Sequence, residues 1–122
     1  MFEASVTQWF AAAHALRGYK GKCENLHGHN YKVEVTVAGD KLDGCGLIAD
    51  FVDIKSALKS AIDRLDHTNL NETPPFDEEL NPSAENIAWY IWREVQAQLG
   101  EATHVASVKV WETEGCVAVY RP

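Results

Sequence analysis

The order of hydrophobic patterns along the chain predicts an α+β fold, a four-stranded antiparallel sheet with two helices on one face, in the order ββααββ. Strict alternation of apolar side chains marks both ends of the chain as strands, because residues i and i+2 of a strand share a face. Between them, apolar residues recur at three- and four-residue intervals in two stretches, the spacing of amphipathic helices. Turn residues separate these stretches: Gly39 to Gly46, Pro74-Pro75 and Glu114-Gly115. The chain carries no internal repeat or linker and reads as a single domain over residues 1–122.

The first strand covers residues 2–12, where Phe2, Ala4, Val6, Gln8, Phe10 and Ala12 share a face that His14 closes. The second covers residues 29–38. Its row runs His27, His29, Tyr31, Val33, Val35, Val37, with Asn30, Lys32, Glu34 and Thr36 opposite. A glycine-rich turn then leads to a short extended piece at residues 47–49. Asp50 can cap a first helix, whose apolar face is Phe51, Ile54, Leu58, Ala61, Ile62 and Leu65. Residues 70–82 read as loop. Ser83 can cap a second helix carrying Ile87, Ala88, Ile91, Trp92, Val95 and Leu99, which Gly100 ends. Strands at residues 104–113 and 116–121 follow, with Ala106, Val108, Val110 and Glu112 on one face of the first. Such a sheet has two open edges, and tryptophan and tyrosine are frequent for this length, so a homo-oligomer is expected.

The composition is that of an ordinary soluble protein, and a formal charge of −7 without a basic stripe argues against nucleic acid as a partner. A small anionic substrate needs only a local basic site. No apolar run can span a bilayer and the first residues do not read as a signal peptide, so no membrane partner and a cytoplasmic address are expected. Three scattered cysteines do not form a disulfide framework. Cys45 and Cys116 sit at turns and read as structural, whereas Cys23 stands just upstream of two histidines.

That run, from Cys23 to His29, carries the chemistry. His27 and His29 share one strand face at the entrance of an apolar row, with Gly28 between them giving close backbone approach. If the first two strands pair antiparallel, His14 joins them. Three neutral imidazoles with an open fourth position form a catalytic zinc arrangement, which polarises a substrate oxygen or lowers the pKa of bound water. Iron or another divalent ion could use the same nitrogens.

Glu112 ends an apolar row, either reaching solvent or offering a carboxylate to a guanidine-like edge through paired hydrogen bonds. Asp66 and His67, just after the first helix, either close that helix end or orient a proton-transfer group with Cys23, whose thiolate a nearby cation would favour. Arg17, Lys20 and Lys22 either meet an anionic group or form a solvated loop.

Taken together, Phe10-Ala11-Ala12-Ala13-His14, Cys23 separated by three residues from His27-Gly28-His29, Asp50-Phe51, Leu65-Asp66-His67-Thr68-Asn69-Leu70-Asn71, Asn81-Pro82-Ser83-Ala84-Glu85-Asn86 and Trp111-Glu112-Thr113 resemble the 6-pyruvoyl-tetrahydropterin synthase family. The resemblance runs from the first strand to the last. It implies a tunnelling fold, with trimers closing their sheets into a barrel and two trimers stacking as a hexamer. It implies one zinc per subunit on His14, His27 and His29, and proton transfer by Cys23, Asp66 and His67. It also implies that Glu112 anchors a pterin ring, helped by Ser83, Ala84 and Glu85 of a neighbouring subunit.

Within that family, the three-residue gap between Cys23 and His27 is similar to the queuosine-pathway branch, the 6-carboxy-tetrahydropterin synthases. The implied substrate is 7,8-dihydroneopterin triphosphate and the implied products are 6-carboxy-5,6,7,8-tetrahydropterin, acetaldehyde and triphosphate. Glu24, three residues before His27, matches relatives that cleave the same side chain to 6-hydroxymethyl-7,8-dihydropterin for folate synthesis. Bifunctional and 6-pyruvoyl-forming activities therefore stand as alternatives, with Glu24 either an acid/base group or an idle surface residue. A non-enzymatic zinc-stabilised module is the remaining alternative, and it places Glu112 far from the metal.

Overall fold

The computed structural model of the chain describes residues 1–19 and 24–122. The strands are β1 (Phe2–His14), β2 (His27–Gly39), β3 (Thr68–Asn69), β4 (His104–Thr113) and β5 (Cys116–Tyr120); the helices are α1 (Phe51–Asp63) and α2 (Ala84–Leu99). They form one five-stranded sheet in the order β3-β1-β2-β4-β5. The four expected strands pair antiparallel, and the addition is β3, which runs parallel to β1 through Ala12 and Ala13. At two residues β3 is too short to show periodicity, and a remote strand creates it.

Alternation places the core as expected. Tyr31, Val33, Val35 and Val37 of β2 meet Val6, Phe10 and Ala12 of β1 in one buried cluster with Ile54, Leu58, Ile62, Ile87, Ile91 and Val95 of the two helices. Both helices thus bury their apolar stripes against the same sheet face. Asp50 caps α1 by accepting from the Val52 N–H at 2.9 Å, and Ser83 caps α2 by accepting from the Asn86 N–H at 3.2 Å. Gly100 ends α2 at φ 81°, a conformation that favours glycine. No helix among the described residues is long and apolar enough to cross a membrane.

Several local expectations change. Residues 47–49 form no strand, with bends at residues 48 and 49, and Phe51 is exposed at the start of α1. In β4 the pairing steps from Thr36 opposite Ser107 to Val37 opposite Val105, so Ala106 is a bulge and Val105 takes its place in the buried row. A second irregularity lies between Trp111 and Thr113 opposite β5, leaving Glu112 as the extra residue. Cys45 and Cys116 are both exposed, Cys45 in a turn closed by the Asp43 carboxylate and Cys116 at the start of β5.

Candidate metal centre and active site

The sheet register builds the centre. His14 pairs with His27, and the next inward pair is Ala12 with His29. The small side chain of Ala12 leaves room for the His14 and His29 rings to meet over it. All three rings lie edge to face, with centroids 4.6, 5.1 and 4.9 Å apart, and one nitrogen from each lies within 4.8 Å of the others. Strands β1 and β2 each run two residues further at this end than their hydrophobic patterns indicate, which puts His14 and His27 inside the sheet.

Hydrogen bonds fix the two neighbouring rings. His14 Nδ1 lies 2.6 Å from the Pro82 carbonyl and His27 Nδ1 lies 2.7 Å from the Asn25 carbonyl. A carbonyl only accepts, so each Nδ1 carries the proton and each Nε2 presents a bare lone pair. The two Nε2 atoms lie 3.1 Å apart, and with no proton between them this is a clash of lone pairs rather than a hydrogen bond. His29 Nε2 is buried and has no hydrogen-bond partner among the described residues. Tetrahedral zinc at about 2.0–2.1 Å from each nitrogen separates its ligands by roughly 3.3 Å. The three nitrogens thus fit a divalent cation, which would relieve the two facing lone pairs and would give His29 Nε2 a partner. Burial, the largest influence, holds His14 and His29 below the ordinary histidine range, in the neutral form that ligates metal.

Alternation and register bring Glu112 to this centre: it follows Val108 and Val110 on the inward face of β4, and Trp111 before it lies opposite Lys32, the neighbour of Tyr31. The two Glu112 carboxylate oxygens lie 3.9 Å from His14 Nε2 and 3.9 Å from His29 Nε2. A purely structural zinc module would leave Glu112 remote from the imidazoles, and it is not remote. Glu112 also lines a cavity of about 290 Å³ with Leu16, Ser83, Ala84, Glu85, Cys116 and Val117. Ser83, Ala84 and Glu85 therefore share a cavity with Glu112 inside one chain, whereas the family resemblance implies that they reach across from a neighbour.

Asp66 and His67 sit at the other side of β1. The Ala11 N–H donates to Asp66 at 2.9 Å, the His67 N–H donates to the Ala11 carbonyl at 2.6 Å, and His67 Nδ1 lies 3.0 Å from the same Asp66 carboxylate. The Ala11 N–H holds the Asp66 carboxyl below its usual range, with His67 adding to the effect and partial burial opposing it. His67 adopts φ 58°, a left-handed conformation that costs a non-glycine residue, and its ring is 83% exposed. It lines a second cavity, of about 390 Å³, together with His29, Gly28 and Ala12. Asp66 thus pairs with an outward-facing imidazole and also holds the Ala11 N–H of β1.

Cys23, Lys20 and Lys22 lie outside the described residues. Glu24 is exposed in the segment leading to β2. Arg17 is engaged elsewhere: its guanidinium donates to the Leu80 carbonyl at 2.6 Å, and its backbone exchanges hydrogen bonds with the Asn81 side chain. Sequence reasoning missed the groups that hold the centre in place. The Pro82 carbonyl is a main-chain atom without a sequence signal. The Tyr31 hydroxyl, 3.1 Å from His14 Nδ1, belongs to a residue that reads as core.

Comparison with known proteins agrees with this geometry. The chain is 39% identical over 104 residues to the human 6-pyruvoyl tetrahydrobiopterin synthase, covering 83% of this chain and 71% of that one. It is 35% identical over 127 residues to the 6-carboxy-5,6,7,8-tetrahydropterin synthase of Rickettsia typhi, covering 88% and 91%. The solved structure of 6-pyruvoyl tetrahydropterin synthase from Caenorhabditis elegans superposes with a TM-score of 0.90 at 26% identity, over 99% of this chain and 95% of that one. The family model for 6-pyruvoyl tetrahydropterin synthase matches residues 3–122. With its sheet, its three converging imidazoles and its aligned relatives in agreement, the chain is an enzyme of the 6-pyruvoyl tetrahydropterin synthase family.

Proposed function

We propose that this chain is a zinc-dependent 6-carboxy-5,6,7,8-tetrahydropterin synthase, which converts 7,8-dihydroneopterin triphosphate to 6-carboxy-tetrahydropterin, acetaldehyde and triphosphate on the route to queuosine. The observation that carries the reading is the approach of Glu112 to within 3.9 Å of two metal-type imidazoles on the wall of a cavity. A reacting side chain and a recognised ring can then sit next to each other.

Each residue has a role in this reading. His14, His27 and His29 hold zinc, which when bound supplies Lewis acidity toward the side-chain oxygens of the substrate. Glu112 accepts paired hydrogen bonds from the amidine-like edge of the pterin, and Ser83, Ala84 and Glu85 form the wall beside it. Cys23, as a thiolate, takes and returns side-chain protons, while the Asp66 carboxylate holds the His67 imidazole for proton exchange. Glu24 is an idle surface residue in this scheme.

The chain works as a hexamer of two trimers in the cytoplasm. The open edges of the sheet support such an assembly: β3 covers only Ala12 and Ala13 of the 13-residue β1, and β5 pairs on one side only. The branch rests on the three-residue gap between Cys23 and His27 and on the 91% coverage of the Rickettsia relative.

The 39% identity to the human enzyme favours a second reading, in which the product is 6-pyruvoyl-tetrahydropterin. Incubation of the zinc-loaded protein with 7,8-dihydroneopterin triphosphate, with products identified by mass, separates the two. Carboxy-tetrahydropterin with acetaldehyde is the expected result. Pyruvoyl-tetrahydropterin would move the chain to the biopterin reaction, and hydroxymethyl-dihydropterin would assign a role to Glu24.

A further inference from the structure

We infer that Tyr31 is a positioning residue of the metal centre: its hydroxyl acts with the Pro82 carbonyl to hold His14 as the Nδ1–H tautomer, and its ring is the floor beneath His14 and His29. The inference rests on the reading of the three imidazoles as a metal site.

Tyr31 is fully buried, yet its hydroxyl lies 3.1 Å from His14 Nδ1. The Pro82 carbonyl, at 2.6 Å from the same nitrogen, requires the proton to be on Nδ1. With Nδ1 donating, the phenol oxygen is a second acceptor for that one hydrogen. Two acceptors on one N–H restrain the ring from two directions and push electron density toward Nε2, the atom that ligates. Groups of this kind around metal-binding histidines set both tautomer and affinity.

The ring contributes separately. It stands edge to face with His14 at 5.8 Å between centroids and 89°, and with His29 at 5.4 Å and 71°. On its other side it stacks on Phe10 at 4.8 Å and 13°, its partner in the β1–β2 register. Two of the three ligand rings therefore rest on a side chain that is itself fixed by the sheet. Core packing alone would be served equally well by phenylalanine. Only the hydroxyl needs a further explanation, and its sole polar neighbour among the recorded hydrogen bonds of the described residues is His14.

Tyr31→Phe isolates the hydroxyl, because the ring and its stacking remain. The zinc dissociation constant is measured by competition with a chelator, the visible spectrum is recorded on the cobalt-substituted protein, and the melting temperature is measured metal-free. The expected result is wild-type binding of zinc, with about tenfold weaker binding and shifted cobalt bands in the variant. Unchanged affinity and bands in the variant would overturn the inference while leaving the metal site intact, as would a loss confined to the metal-free melting temperature. If wild-type protein binds no zinc, the metal reading itself fails and this inference with it.

Discussion

Asn71 serves as a strand partner made from a side chain, and its removal has a calculable cost. Strand β1 ends at His14, and the next residue, Ala15, pairs with no strand among the described residues. The Asn71 side chain supplies both missing bonds: the Ala15 N–H donates to Oδ1 at 2.8 Å, and Nδ2 donates to the Ala15 carbonyl at 2.8 Å. Each such bond contributes about 1 kcal/mol net, so Asn71→Ala should destabilise the fold by roughly 2 kcal/mol. Unfolding entropy of about 2.1 cal/mol/K per residue makes this a fall in melting temperature of roughly 8 °C. Asn71→Asp keeps the acceptor and loses the donor, so about half the loss is expected. The assay is urea unfolding of the metal-free proteins at one protein concentration, comparing midpoints at constant slope. A midpoint for Asn71→Ala within experimental error of wild type, or equal losses for the two variants, would refute the two-bond reasoning.

Three other outcomes follow from the same geometry. His14→Ala should abolish stoichiometric zinc binding, checked by metal analysis after dialysis, because two imidazoles do not hold zinc as three do. Burial holds His14 and His29 below their ordinary value of 6.5, so the unfolded chain takes up protons first as the pH falls. The stability of the metal-free protein should therefore be complete above about pH 6.5 and decline below it toward the folded-state values, read as a lower urea midpoint at about pH 5.5 than at about pH 7.5. Trp92→Phe should cost about 1 kcal/mol in urea unfolding, since the indole N–H donates to the Val105 carbonyl at 3.0 Å while most of the ring contact survives.

What the sequence discloses here follows the range of the forces involved. Alternation is local, so the rows that lead to His14, His27 and His29 are legible, and Asp50 and Ser83 are legible caps because their partners lie two and three residues away. Features made by remote partners are not. Strand β3 exists because β1 lies beside it, Asn71 acts on a residue 56 positions away, and His14 is held by a carbonyl 68 positions away. A bulge defeats alternation altogether, because one extra residue reverses the facing of all that follows. The bulge at Ala106 merely exchanges one core residue for its neighbour. Glu112 keeps the face that alternation gives it, with Val108 and Val110, and it is the residues gathered opposite, not the row itself, that bring its carboxylate within 3.9 Å of two imidazoles instead of into solvent. The chemistry of this family member thus depends on two kinds of information. Strand periodicity gathers the nitrogens and puts the carboxylate on their face, and the register between β2 and β4 brings the two together.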